Sequence, residues 1–151
     1  MIFLELEKLQ EESIQAELLS VIENLCEEYQ LGDHFGTIST AIHELADLVL
    51  EYGRAEMNSY QASFIIDTTE ISFQIRQTTN LFSLKKLFSN NNRDERVFTI
   101  VNLANEIEFS DDDQDISLSF HVKPNFKPAA RREVSEIQQQ MLFEETNRNK
   151  Q

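Results

Sequence analysis

The sequence predicts an α+β domain, a two-layer sandwich in which helices cover one face of a mostly antiparallel sheet. Residues 37–53 carry apolar side chains at i, i+3, i+4 and i+7, the spacing of one helix face. Residues 60–67 and 71–76 instead alternate apolar and polar side chains, which is typical of strands, and a short polar link separates them. A chain of 151 residues is long enough for one domain with a core.

The predicted helix over residues 37–53 is the element around which we expect the core to form. Its apolar face consists of Ile38, Ala41, Ile42, Leu45, Leu48, Val49 and Tyr52. Gly53 follows the last of these residues, and a helix C-terminus favours glycine because glycine tolerates a left-handed backbone. The remaining elements are expected to supply the layers against which this helix packs.

Two elements precede this helix. Residues 2–7 predict a short strand with Ile2, Leu4 and Leu6 on one side, although a helix could also start there. From Ser13 the pattern becomes helical. Its apolar stripe consists of Ile14, Leu18, Val21, Ile22, Leu25 and Tyr29. We expect Gly32 to end this helix and Asp33 to cap the next one, because a short side-chain oxygen can accept an unpaired amide.

The second half of the chain predicts two hairpins separated by helices. The link at residues 67–70 joins the first pair of strands, so that pair is antiparallel. A short helix is expected within residues 81–88, and Asp94 is expected to cap a longer helix up to about Ala104. Two further strands flank the acidic turn at residues 110–115 and form the second hairpin. One face of the sheet is apolar and the other mixed, as expected for a sheet covered on one side.

The C-terminal segment is predicted to be separate from this domain. Pro124 and Pro128 indicate a linker, and residues 129–145 predict an amphipathic helix with a narrow apolar stripe of Val134, Ile137 and Met141. The predicted domain therefore spans residues 1–123, and residues 124–151 form a linker and a C-terminal helix. We favour a role for this helix in forming a homodimer over docking within one chain.

The charge is strongly acidic and unevenly distributed. The net charge is −14, and residues 1–70 contain 15 acidic and 2 basic residues, whereas residues 71–151 contain 12 and 11. An acidic half repels a phosphate backbone, so nucleic-acid binding is not expected. No apolar run reaches the length of about 20 residues that a transmembrane helix needs. The N-terminus lacks the features of a signal peptide, so a cytoplasmic location is expected.

No metal or thiol chemistry is predicted. Cys26 is the only cysteine, and its place on an apolar helix face indicates a buried hydrophobic side chain. We interpret His34, His43 and His121 as surface or structural residues, because their spacing matches no metal-binding motif. The acidic turn resembles the start of a calcium loop, but the required glycine and the closing glutamate are missing, so we expect a solvated turn.

The order of elements from Leu4 to Val122 resembles the GHKL (Bergerat-fold, histidine-kinase-like) ATPases, and in particular the branch of anti-sigma-factor serine kinases. The segment ISTAIHELADLVLEYG is similar to their first nucleotide-binding helix. EISFQIRQTTNLF lies where the family has its Asp-x-Gly-x-Gly strand and turn, and RVFTIVNLANEIEFSDDDQDISLSFHV resembles the last helix and closing hairpin. The resemblance implies the histidine-kinase-like fold and a role in signalling.

The nucleotide-binding residues of that family are largely replaced here. Glu44 matches the catalytic or water-orienting glutamate, but the position of the Mg²⁺-ligating asparagine is Leu48, which has no oxygen. The position of the adenine-binding aspartate is Gln77, and the two glycines fall at Thr79 and Leu81. The resemblance therefore implies the scaffold without its ATP site.

Our first hypothesis is a non-catalytic signalling or regulatory module that binds a protein partner and needs no cofactor. The alternative is an ATP-binding serine kinase with a divergent site. In that case Glu44 would be catalytic, and Glu44, Asp47 and Gln77 would bind ATP and Mg²⁺. A third hypothesis is a structural homodimer subunit without a ligand.

Overall fold

The computed structural model describes residues 2–6, 14–53, 60–77, 83–89 and 93–126. These residues form an α+β fold in which an antiparallel sheet packs against a layer of helices, as predicted. The predicted C-terminal helix lies outside the described residues, and the predicted homodimer that depends on it stays a prediction.

The sheet has five strands in the order β1-β2-β3-β5-β4, and every neighbouring pair is antiparallel. The strands are β1 (Ile2–Leu6), β2 (Tyr60–Ile66), β3 (Glu70–Gln77), β4 (Glu106–Phe109) and β5 (Asp115–His121). Both predicted hairpins, β2–β3 and β4–β5, are confirmed. Because β5 lies between β3 and β4, the second hairpin joins the sheet through its later strand.

The helices are α1 (Ile14–Glu28), α2 (Phe35–Gly53), α3 (Leu84–Leu87) and α4 (Glu95–Leu103). Helix α2 packs against both α1 and α4, so it is the central helix of the layer. Every predicted stripe residue of α1 is buried, as are those of α2 up to Val49. Tyr52 is 45% exposed, so its predicted burial is wrong. Periodicity places Tyr52 on the same helix face, but it does not show how far along α2 the neighbouring elements extend.

The turn after α1 differs from the prediction. Gln30, not Gly32, has a left-handed backbone, with φ of 56°. The amide of Leu31 donates to the carbonyl of Cys26 at 2.7 Å, and that of Gln30 donates to Glu27 at 3.4 Å. These two bonds define a Schellman motif, in which the residue after the C-cap is usually glycine. Buried Leu31 supplies the hydrophobic contact that accompanies such a motif.

The start of α2 also differs from the prediction. Residues Gly32–His34 form a 3-10 turn whose N-cap is Leu31 and whose N-cap side chain makes no capping bond. Asp33 therefore lies inside this turn and does not occupy the predicted cap position. The cap of α4 is as predicted, since the side chain of Asp94 accepts a hydrogen bond from the amide of Arg96 at 3.0 Å.

The end of the described chain is attached to the C-terminal end of α1. The amide of Asn125 donates to the carbonyl of Tyr29 at 3.0 Å, and its side-chain Nδ2 donates to Oε1 of Gln30 at 2.8 Å. The ring of Phe126 lies 5.2 Å from that of Tyr29. Residues 124–126 of the predicted linker thus pack on the domain, while the boundary at residue 123 itself stays a prediction.

Candidate functional site

An apolar groove lies between the first half of α1 and the adjoining part of α2. Its volume is about 200 Å³. A cavity of about 150 Å³ can hold a benzene ring, so this groove has room for at least one large apolar side chain. Its lining consists of Gln15, Ala16, Leu18, Leu19, Ile22, Ser39, Ile42 and His43. We refer to this surface as the α1–α2 groove.

The groove follows from the pattern of the two helices. Leu18, Ile22 and Ile42 belong to the buried stripes, whereas Leu19 lies beside its stripe and is 44% exposed. The polar lining residues Gln15, Ser39 and His43 lie among these apolar side chains. Nε2 of Gln15 donates a hydrogen bond to the carbonyl of His43 at 3.0 Å. This bond joins α1 to α2 at the groove and holds the two helices in register.

The helix pair that forms the groove carries a negative net charge. Residues 14–53 contain no lysine or arginine. Their acidic residues are Glu17, Glu23, Glu27, Glu28, Asp33, Glu44, Asp47 and Glu51. Glu23 follows Leu19 by one helical turn and therefore lies on the same side of α1 as this lining residue. The electrostatic field at this surface attracts cations and basic side chains.

The predicted nucleotide residues on α2 are placed as follows. Glu44 is half-buried, and Leu48, one turn further on, has an exposed fraction of 0%. The expected burial of Leu48 is therefore confirmed. Asp47 is exposed, and its Oδ2 accepts a hydrogen bond from Nη1 of Arg96 on α4 at 2.8 Å. Arg96 is thus paired with a carboxylate that the kinase hypothesis requires for binding of ATP and Mg²⁺.

Gln77 lies at the end of β3 and is completely buried, with an exposed fraction of 0%. Its Nε2 donates to the carbonyl of Asp113 at 3.4 Å, and its backbone amide donates to the carbonyl of Gln114 at 2.9 Å. Gln77 thus connects β3 to the acidic turn. Gln77, Glu44 and Asp47 are all outside the lining of the α1–α2 groove.

Arg96 is the centre of a cluster of three carboxylates. Besides Asp47, its guanidinium contacts Glu51 on α2 and Asp94 at the start of α4. The hydrogen bonds from Arg96 hold the pKa of the Asp94 carboxyl below its usual range. The same bonds raise the pKa of the guanidinium. This cluster ties α4 to α2 and has a structural role.

The acidic turn is more than a solvated hairpin. Asp113 has a left-handed backbone, with φ of 58°. Its carboxylate accepts hydrogen bonds from Oγ of Ser83 and from the amide of Lys85, the latter at 2.9 Å. Asp112 accepts a hydrogen bond from Ser110 Oγ at 2.6 Å and closes the turn. The prediction of an exposed, solvated turn is correct for Asp111 and Asp112, but Asp113 is bonded to the start of α3, whose N-cap is Ser83.

Cys26 is buried, as predicted, and burial raises the pKa of its thiol to about 11. The thiol therefore stays protonated near neutral pH and is a poor nucleophile. The groove itself is the feature that the sequence prediction missed. Leu19 was its signal, because it is a large apolar residue beside the predicted stripe of α1 and not within it.

Comparisons with known proteins do not assign this chain to a family. No family model matches it, and no curated protein sequence matches it either. Within the described part of the chain, no helix is both long enough and apolar enough to cross a membrane.

Proposed function

We propose that this chain is a non-catalytic interaction module whose α1–α2 groove binds a basic amphipathic helix of a protein partner. The observation that carries the proposal is an open apolar groove on a helix pair without a single lysine or arginine. An amphipathic helix would insert its apolar side chains between α1 and α2. Its lysine or arginine residues would face the surrounding carboxylates and accelerate association.

The placement of the family's nucleotide-binding positions supports a role without catalysis. Leu48 is part of the core, and Gln77 is buried and hydrogen-bonded to the carbonyl of Asp113. Asp47, next to Leu48, is paired with Arg96. A scaffold that resembles the GHKL ATPases but buries Leu48 and Gln77, at the positions of a metal ligand and an adenine ligand, fits a regulatory protein that acts by binding. We propose that it functions in signalling, as the resemblance implies, and that it does so in the cytoplasm.

The partner class can be tested with a defined peptide. We would titrate the full-length protein with an 18-residue amphipathic helix of leucine and lysine, and follow amide signals by NMR. We expect the largest shifts at residues 15–22 and 39–43. A peptide with the same lysines and with serine in place of leucine should bind about tenfold more weakly or worse, because it lacks apolar anchors.

A variant pair tests whether the groove is the binding surface. Leu19→Ser should weaken peptide binding about tenfold, since Leu19 is the exposed apolar residue of the groove. Phe98→Ser is the matched control, because Phe98 is 56% exposed on α4, outside the groove. Equal affinities for the two variants, or shifts centred on α4, would show that the groove is not the binding surface.

The ATP-binding alternative has its own test. Titration with ATP and Mg²⁺ at about 100 times Kd would stabilise a binding protein by about 2.7 kcal/mol. We expect no change in melting temperature in this titration. A rise that is abolished by Glu44→Gln would instead support the kinase hypothesis and refute the non-catalytic one.

A further inference from the structure

The polar face of the sheet brings together three potential metal ligands that are far apart in the sequence. They are Glu70 at the start of β3, Glu106 at the start of β4 and His121 at the end of β5. One ligand atom from each of them lies within 4.8 Å of the other two. We propose that these residues form a binding site for a divalent transition-metal ion, with Zn²⁺ as the best match.

The register of the sheet determines this arrangement. Glu70 and His121 are direct cross-strand partners, so their side chains stand side by side on one face. Glu106 pairs with Ser119, which places it diagonally next to His121. The three side chains therefore belong to three adjacent strands in the middle and at one edge of the sheet, and the backbone positions are set before any ion binds.

Asn105 fixes β4 relative to β5 at this point. Its amide donates to the carbonyl of Ser119 at 2.9 Å, and its Oδ1 accepts a hydrogen bond from the amide of His121 at 2.8 Å. Glu106 follows Asn105 directly, so both hydrogen bonds restrain its position relative to His121. A site held on rigid strands needs little rearrangement to bind an ion.

The donor atoms suit zinc in type and spacing. Zinc binds imidazole nitrogen and carboxylate oxygen at about 2.0–2.2 Å in a tetrahedral arrangement, which places neighbouring donors about 3.4 Å apart. Nε2 of His121 lies 3.4 Å from Oε1 of Glu106. A ligand atom of Glu70 lies within 4.8 Å of both and would supply the third position, and a water molecule would occupy the fourth. Imidazole favours zinc over the hard ions Ca²⁺ and Mg²⁺.

The charge balance also favours a cation here. Among the ion pairs that the described residues form, none joins a lysine or arginine to Glu70 or Glu106. Two carboxylates in this proximity repel each other, and a dication between them removes the repulsion. The nearby Ser72 and Ser119 hydroxyls bond to each other at 3.0 Å and carry no charge.

Calorimetric titration of the full-length protein with ZnCl₂ tests the proposal. We expect one site whose affinity falls about tenfold or more in each of Glu70→Gln, Glu106→Gln and His121→Ala. Glu108→Gln and His34→Ala are matched controls. Glu108 is an exposed glutamate of β4, the strand that contains Glu106, and His34 is an exposed histidine outside the sheet. Their affinities should stay within about twofold of the wild type.

A second measurement keeps the test valid if a variant folds poorly. Mn²⁺ added to the wild-type protein should broaden amide signals of residues 70, 106 and 121 before others, because the paramagnetic ion lies next to them. Absence of zinc binding up to about 1 mM would overturn the proposal. Equal loss of affinity in the triad and control variants, or broadening centred elsewhere, would overturn it as well.

Discussion

Arg96 on α4 donates a hydrogen bond from Nη1 to Oδ2 of Asp47 on α2, across a distance of 2.8 Å. The Arg96 side chain is only 19% exposed, and its guanidinium also contacts Glu51 and Asp94. A single cation thus contacts two carboxylates of the central helix and one at the start of α4. The pairing joins α2 to α4.

Removal of the Arg96 guanidinium should destabilise the fold. Arg96→Ala leaves three neighbouring carboxylates without their shared donor, and charge-assisted hydrogen bonds are worth about 1.5–3 kcal/mol each when they are sheltered. Because the carboxylates themselves are partly solvated, we expect a loss of about 1–2 kcal/mol in urea denaturation. The control is Arg93→Ala, since Arg93 is exposed in the same segment. A similar stability for both variants would refute a structural role for the cluster.

Asp94 should contribute to the loss of stability of the protein at acid pH. Its pKa is lowered in the folded protein, chiefly by the hydrogen bond from Arg96. Its contribution is therefore fully present above the unfolded pKa of about 3.9 and is lost as pH falls through the folded pKa. Asp94→Asn keeps a good N-cap. As the pH is lowered on the acid side, we expect the free energy of unfolding of this variant to decrease less steeply than that of the wild-type protein.

Asp115 should show the opposite behaviour, which makes it a useful comparison. Burial raises the pKa of its carboxyl, although Arg76 opposes this effect. A raised pKa favours the folded state at low pH and loses that contribution as pH rises through the folded value. As the pH is lowered, the free energy of unfolding of Asp115→Asn should therefore decrease more steeply than that of the wild-type protein. The same slope for both variants would contradict these assignments.

The core position Leu48 should not accept a polar ligand. Leu48→Asn, which would restore the metal-binding residue of the resembled family, removes apolar burial and introduces an amide that needs partners. We expect a loss of about 2 kcal/mol or more in chemical denaturation. Leu19→Asn, at an exposed leucine of α1, should change stability by about 0.5 kcal/mol or less. A neutral result at Leu48 would indicate an open, solvated site.

Gln30→Gly should stabilise the protein. The left-handed backbone of Gln30 in the Schellman motif strains a residue with a Cβ, and glycine relieves that strain. We expect a gain of about 0.5–1 kcal/mol, reduced slightly by loss of the exposed bond to Asn125. Gly32→Ala is the control, because space around Gly32 is open and its φ is not positive. Destabilisation at residue 30 would contradict the motif.

The predicted C-terminal helix can be tested by deletion. If residues 127–151 form an amphipathic seam, the full-length protein should be dimeric by light scattering at high micromolar concentration. A truncated chain that ends at Phe126 should then be a folded monomer, since the last described contacts of the chain, from Asn125 and Phe126 to the turn after α1, are retained. A monomeric full-length protein would refute the homodimer.

The sequence by itself determined the elements whose signal is local. The apolar stripes of α1 and α2 and the alternation in β2 and β3 follow from helix and strand periods, which each segment expresses without its neighbours. The caps and short links also act over a few residues, so Asp94 and the hairpin at residues 67–70 were predictable. These local signals were sufficient for the α+β class.

Only the tertiary structure decided which distant residues meet. Insertion of β5 between β3 and β4 places His121 beside Glu70 and Glu106, although these residues are far apart along the chain. The same applies to Arg96 with Asp47, and to Gln77 with Asp113. The groove at Leu19 requires the packing of α1 on α2. Such contacts depend on strand order and helix packing, which result from the summed burial of the whole core and not from any single segment.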